Sequence, residues 1–348
     1  MDTGAGDFEL GGVRIAPGSR RTVNLQTANF YTNAPVHLPV IVQHGCTPGP
    51  KLFVSAALHG DEIIGVEIIR RLLKLPQLAG LCGTLLAVPI VNVLGFMHQS
   101  RYLPDRRDLN RSFPGRDGGS LAARLAHMFL REVVGRCDYG IDLHTGALHR
   151  PNLPQIRADF SQPENLRLAR AFGAPLLVNS LPTAGTLREY TTEKGIHVLL
   201  YESGEALRFD EVCIRIGVQG VQNVLRILGM LPEAGVTAPP PEPVVAQNSV
   251  WSRAPGSGIL RTQVRLGDAV QKGQTLGMVG DPFGDAEMPV SSPIDGLVIG
   301  RLNLPLVYEG DALFHLAQVD APGSAAQMVD QFEIDAASLS GDDEPPIV

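Results

Sequence analysis

Three short segments place histidine or glutamate just beyond an apolar run: Leu58-His59-Gly60-Asp61-Glu62, Asp142-Leu143-His144-Thr145-Gly146 and Tyr201-Glu202-Ser203-Gly204. The runs before them, Leu52–Ala57, Tyr139–Ile141 and Ile196–Leu200, have the length and composition of strands. In an open α/β sheet the ligand crevice lies outside the carboxyl ends of the strands, so the three segments should converge. Two His and two Glu brought together suit a catalytic zinc site, where three protein ligands leave a fourth position open for water. His59 and Glu62 lie three apart at a strand–helix junction, so both can face one ion, and His144 from a neighbouring strand end closes a His₂Glu set. Alone, the first pair also reads as a turn histidine and a helix N-terminal carboxylate favoured by the macrodipole. The later DLHTG segment shifts the balance to one zinc per chain, with Asp142 beside the ligands or on the rim.

A fourth segment, Arg101 to Gly115 (RYLPDRRDLNRSFPG), is polar and Pro-bounded, and reads as a loop feeding the same crevice. Its Asn110-Arg111 pair can form a fork for a substrate carboxylate.

The elements that must hold these groups in place follow from periodicity. Residues 1–50 read as short strands and turns; from Lys51 strands alternate with helices. Apolar residues at helical spacing fall in Glu62–Leu75, Ser120–Val134, Glu164–Phe172, Thr186–Glu193 and Asp210–Leu228, between strands Thr84–Val91, Tyr139–Leu143, Leu176–Val178 and Ile196–Tyr201. That order predicts an α/β domain over 1–235, a mostly parallel or mixed sheet with helices on both faces. The stretch 231–245, LPEAGVTAPPPEPVV, reads as a stiff linker. Short apolar segments cut by Gly and Pro then predict an all-β module within 236–318. Residues 319–348 hold seven acidic residues and no Lys, Arg or His, and read as a solvated tail.

HGDE, RDLNRSFPG, DLHTG and ESG, in that order, resemble the succinylglutamate desuccinylase/aspartoacylase family, which is related to the zinc carboxypeptidases. The resemblance covers about residues 40–230 and implies a zinc-carboxypeptidase-like fold and hydrolysis of the N-acyl bond of a small, carboxylate-bearing N-acyl amino acid. It implies zinc on His59, Glu62 and His144, Glu202 as general base and later proton donor, and Asn110 and Arg111 on the substrate carboxylate. Arg101 matches the family's carbonyl-polarising arginine, but the stretch to Asp108 is longer than in aspartoacylases, which leaves Arg101 and Arg106 both open. Arg188 looks like a recurrent arginine of bacterial members, facing substrate or the helix surface. The remaining histidines, His149 and His315 among them, are assigned structural roles. Residues 253–318 resemble a biotinyl/lipoyl barrel with no lysine after Lys272, so no acceptor for either group is expected.

Composition narrows the field further. Net charge is −7 and, outside the acidic end, 29 basic residues balance 29 acidic ones, so nothing invites nucleic acid or a membrane surface. No apolar run approaches a membrane span, and the N-terminus has no basic-then-apolar leader. Four scattered cysteines without a CxxC pair suit reduced thiols, and a cytoplasmic location is the expectation. The partner expected is a small molecule, with self-association left open. Two rivals share the metal reading: a carboxypeptidase acting on a peptide end, and a non-catalytic zinc-binding scaffold.

Overall fold

The computed structural model describes residues 4–232 and 242–338. Most of the expected linker, 233–241, and the last residues of the expected tail, 339–348, lie outside them.

The frame is a 13-stranded mixed sheet. Before residue 232 it takes β1 (Ser19–Asn29), β2 (Pro35–His44), β3 (Thr47–Ala56), β4 (Cys82–Val88), β5 (Tyr139–Gly146), β6 (Asn152–Ala158), β7 (Leu176–Asn179) and β8 (His197–Glu205). After residue 242 it takes β9 (Val244–Ala246), β10 (Asn248–Arg253), β11 (Gly296–Arg301) and β12 (Ala312–Gln318), with the short strand Ala269–Val270 against β11. The path runs β10-β12-β11-β6-β8-β5-β3-β4-β2-β1, with β7 beside β6 and β9 beside β7. The centre β4-β3-β5-β8 is parallel, as the alternating pattern requires, and its strands end at one edge. Antiparallel β2 and β6 flank it.

Helices cover both faces. On one, α1 (Ile64–Leu72), α3 (Pro163–Phe172) and α5 (Glu211–Ile227) bury Ile64, Ile68, Phe172 and Ile214 against Val54, Ile141, Leu143 and Tyr201. On the other, α2 (Leu121–Glu132) packs Leu125 and Phe129 on Phe53 and Leu86, the two phenylalanine rings meeting edge to face at 6.2 Å. The short α4 (Leu187–Glu193) precedes β8. Ser120, Thr186 and Asp210 cap α2, α4 and α5, each side-chain oxygen accepting an N–H of the first turn.

Two expectations change here. Strand β6 was not foreseen, because Asn152-Leu-Pro-Gln-Ile-Arg-Ala158 carries a proline and no clean alternation. The C-terminal β module is present and is continuous with the main sheet. Its strands Gly258–Thr262, Thr275–Gly280, Glu287–Ser291 and Leu306–Val307 make a sheet of their own, while β10, β11 and β12 extend the main sheet. Within the expected solvated tail, the described residues form a helix, α6 (Pro322–Ser338), with Ala325, Val329 and Ala336 buried. Its acidic residues alternate with an apolar stripe, and the charge count hid the stripe.

Candidate metal centre and substrate cleft

After β3 the backbone turns through Ala57 in the left-handed region (φ 48°), which a non-glycine residue seldom adopts. Two amides hold that turn, Val91 donating to the Ala56 carbonyl and Asn92 to that of Ala57. The turn delivers His59 and Glu62 to the carboxyl edge of the sheet just before α1, and β5 delivers Asp142 and His144 beside them. All four side chains are buried.

His59 Nδ1 and His144 Nδ1 each lie 2.7 Å from a different oxygen of Glu62, and the three ligand atoms fall within 4.8 Å of one another. Each imidazole's far nitrogen is also held by a carboxylate: His59 Nε2 by Asp108 at 3.1 Å, His144 Nε2 by Asp142 at 2.8 Å. Ser55 Oγ donates to the other Asp142 oxygen at 2.7 Å. A carboxylate behind the outer ring nitrogen is the usual support of a metal-binding histidine, since it fixes the ring and raises its basicity. Both inner Nδ1 atoms are thereby turned toward one point, and imidazole plus carboxylate donors suit zinc.

The charge balance agrees. Burial works against a charge on Glu62, but His59 and His144 override it and hold its carboxyl well below the usual range. Burial likewise opposes protonation of the histidines, and is outweighed by Glu62 and Asp108 at His59 and by Asp142 and Glu62 at His144, so both imidazoles titrate above their ordinary value. With both imidazoles neutral, the three carboxylates bonded to them (Glu62, Asp108, Asp142) outnumber the one guanidinium bonded to this group, Arg101. That surplus of negative charge complements a dication.

Arg101 donates through Nη1 to Glu62 at 3.2 Å and through Nη2 to Asp108 at 3.0 Å, which places it against the ligand group. Arg106 is exposed on a left-handed residue (φ 61°) and is not among these contacts. Next to this group a cleft of about 270 Å³ is lined by Asn110, Arg111, Asp142, Arg188 and Glu202. A larger hollow of about 520 Å³ around Tyr139 and His197 lies at the opposite ends of the same strands and holds none of these residues. Asn110 is buried and lines the cleft, and its Oδ1 accepts from the Leu187 amide at 3.0 Å. The exposed Arg111 donates to the Asn110 carbonyl. Arg188 is held by the Ser180 carbonyl and hydroxyl, and burial with help from Arg157 brings its guanidinium down to about 10.

Sequence reasoning missed several of these groups. Asp108 sat unremarked in the arginine-rich loop. Arg157 and Asn152 lie on the unforeseen β6, and both meet Glu202. His315, expected to be structural, lines the cleft with Trp251, the two rings stacked at 4.5 Å and 5°. Burial and Arg157 push its imidazole down to about 3, so it is neutral. His149 is turned to Glu205 at 3.9 Å.

A mixed α/β sheet carrying a buried His-Glu-His group at its carboxyl edge is the pattern of a metal-binding enzyme cleft. Residues 48–228 match the Succinylglutamate desuccinylase/Aspartoacylase catalytic domain, and the chain belongs to that family. It is 28% identical over 299 residues to an N-alpha-acetyl-L-2,4-diaminobutyric acid deacetylase of Halomonas elongata, spanning 82% of this chain and 86% of the relative. The fold is similar to a succinylglutamate desuccinylase/aspartoacylase of Rhodobacter sphaeroides (TM-score 0.78, 25% identity, 86% of this chain, 95% of that one). It is also similar to the product-bound ectoine utilization protein EutE (DoeB) of Ruegeria pomeroyi (TM-score 0.77, 27% identity, 86% and 94%). Among the described residues no helix is long and apolar enough to cross a membrane.

Proposed function

We propose that the chain is a zinc-dependent deacylase that hydrolyses the amide bond of a small N-acyl amino acid. The supporting observation is the His59-Glu62-His144 group, each imidazole braced by a carboxylate on its outer nitrogen. The curated relative is named as a deacetylase of an N-acetylated amino acid, which supports the same class of substrate. Zinc held by these three residues would supply a Lewis acid and lower the pKa of a bound water.

The remaining roles belong to the chain itself. Glu202, in the cleft across the sheet register from His144, takes the proton of the attacking water and returns it to the leaving amine. Asn110 and Arg111 bind the substrate carboxylate and turn an encounter into a positioned reaction. Arg101 donates to the acyl oxygen as charge develops on it, a contribution of about 3–4 kcal/mol for one such donor. Arg188, which also lines the cleft, faces the substrate. In this reading residues 1–235 are the catalytic unit, and the β segment within 236–318 closes one wall with Trp251 and His315 and carries no biotinyl or lipoyl group.

The test uses two variants and a panel of N-acetyl-L-aspartate, N-succinyl-L-glutamate, Nα-acetyl-L-2,4-diaminobutyrate and short unblocked peptides. Glu202→Gln should keep zinc and lose about 10²–10⁴-fold in turnover. His59→Ala should lose metal and activity together. Loss of zinc in Glu202→Gln would make it a ligand, and preference for peptides would make the chain a carboxypeptidase.

A further inference from the structure

We propose that Asn152 is the positioning residue of the general base, and that Gly300 of the C-terminal strand β11 holds Asn152 in place. The proposal rests on the reading of Glu202 as base. Asn152 is 6% exposed, and its Nδ2 donates to Glu202 Oε1 at 2.5 Å. The other oxygen, Oε2, has Arg157 Nε at 3.8 Å. A carboxylate approached on both oxygens by donors from one strand is confined to a narrow range of orientations, as a proton acceptor for a fixed water must be.

The strand geometry is built for this contact. Across the antiparallel β6–β8 pair Glu202 faces Gln155, yet Gly204 faces Asn152, so three steps on β6 match two on β8. In a regular strand residues three apart point to opposite faces. The bulge cancels that alternation and re-aims Asn152 to the face that carries Glu202, the recurrent use of bulges beside active sites.

Behind Asn152 stands Gly300, the β11 residue that pairs with β6. A Cβ at Gly300 would lie 2.4 Å from Asn152 Oδ1, so any larger residue there must displace the Asn152 side chain. Backbone bonds continue the approach beyond this pair: the Arg301 amide to the Pro151 carbonyl (3.3 Å), and the Asn303 amide to that of His149 (2.8 Å). The C-terminal segment thus reaches the base through one glycine and one amide. That gives it a part in the chemistry which neither a missing acceptor lysine nor a cleft wall would suggest.

Full-length Asn152→Ala and Asn152→Asp, zinc content confirmed, separate this role from packing. Asp matches Asn in size but cannot donate and repels a carboxylate. Positioning therefore predicts a fall in kcat of about 10–100-fold for Ala, a larger one for Asp, and a KM close to wild type on the best substrate of the panel. A packing role predicts the reverse order, Asp milder than Ala, and would overturn the proposal. Gly300→Ala should lower kcat in the wild-type background but add little to Asn152→Ala, because both act through one contact; additive losses would remove Gly300 from the proposal. A crystal structure of Asn152→Ala needs no substrate: Glu202 should leave its wild-type rotamer, and an unmoved Glu202 would refute the positioning role. If Glu202→Gln retains full turnover, the base assignment itself has failed. An inactive Glu202→Gln beside a fully active Asn152→Ala overturns only the present proposal.

Discussion

Asp108 and Asp142 do the same work from different places, one on a loop and one on β5: each takes the outer nitrogen of a histidine whose inner nitrogen faces Glu62. Asp108→Asn keeps the shape but weakens the brace and removes one of the three charges that favour a dication. Zinc affinity, read by chelator competition, should fall about 10–100-fold, with the fold intact. His315 offers a different check. Its ring is buried and titrates near 3 in the folded chain against 6.5 as an ordinary imidazole, so the unfolded chain binds the extra proton between those values. Stability should therefore be complete above about pH 6.5 and be lost as pH falls toward 3, by an amount on the order of a few kcal/mol. His315→Gln should flatten that slope in denaturant titrations across the window; an unchanged slope would show that this imidazole is hydrated. Of these residues, His59, Glu62 and His144 could be read from the sequence because each stands at the end of an apolar run. Asp108 and His315 could not: one is a charge among charges, and the other acts only through a cleft that two distant segments form together.

At the scale of elements, the parallel strands and the helices between them were legible because burial on both faces writes itself as continuous apolar runs and 3.6-residue stripes. Strand β6 was illegible for the opposite reason. It runs antiparallel between β8 and β11, and its polar residues Asn152, Gln155 and Arg157 break the apolar run by which a buried strand is recognised, although Asn152 and Gln155 are buried. The HGDE turn shows what a short motif encodes. Gly60 abuts the backbone of the helical turn Val93–Met97, where an added Cβ would lie 2.0 Å from the Gly95 carbonyl carbon and 2.2 Å from the Phe96 nitrogen. Nothing there can move without displacing backbone. Gly60→Ala should push the turn outward and carry His59 and Glu62 away from His144. Zinc occupancy should drop sharply, with a loss of stability of about 1–3 kcal/mol from overpacking. Full occupancy in that variant would mean the turn has slack that the contacts deny.

On the scale of the whole molecule, the chain after residue 242 is structurally continuous with what precedes it. Strand β9 pairs with β7, β11 touches β6 at Gly300, and Leu153, Leu176 and Val178 share one core with Leu297, Ile299 and Ala317. Composition alone could show a β-rich segment but not that its strands would join a sheet begun elsewhere, since pairing between distant strands leaves no local signature. Helix α6 closes this assembly by packing on α5 and on the C-terminal strands, and the Ala337 carbonyl accepts from Arg215 of α5 at 3.2 Å. Two truncations separate the contributions. Ending the chain at residue 321 removes α6 while leaving every cleft residue in place. Losing one fully buried valine, worth about 1.5–3 kcal/mol, and two buried alanines should lower the melting temperature by roughly 5–10 °C. Zinc content and kcat should stay near wild type. Ending the chain at residue 232 strips β9 to β12 as well, exposes the Leu153-Leu176-Val178 core and removes the support behind Asn152. That fragment should be insoluble or fail to unfold cooperatively. A soluble, zinc-loaded fragment with wild-type turnover would show that the catalytic sheet is self-sufficient and that its C-terminal strands are an appendage.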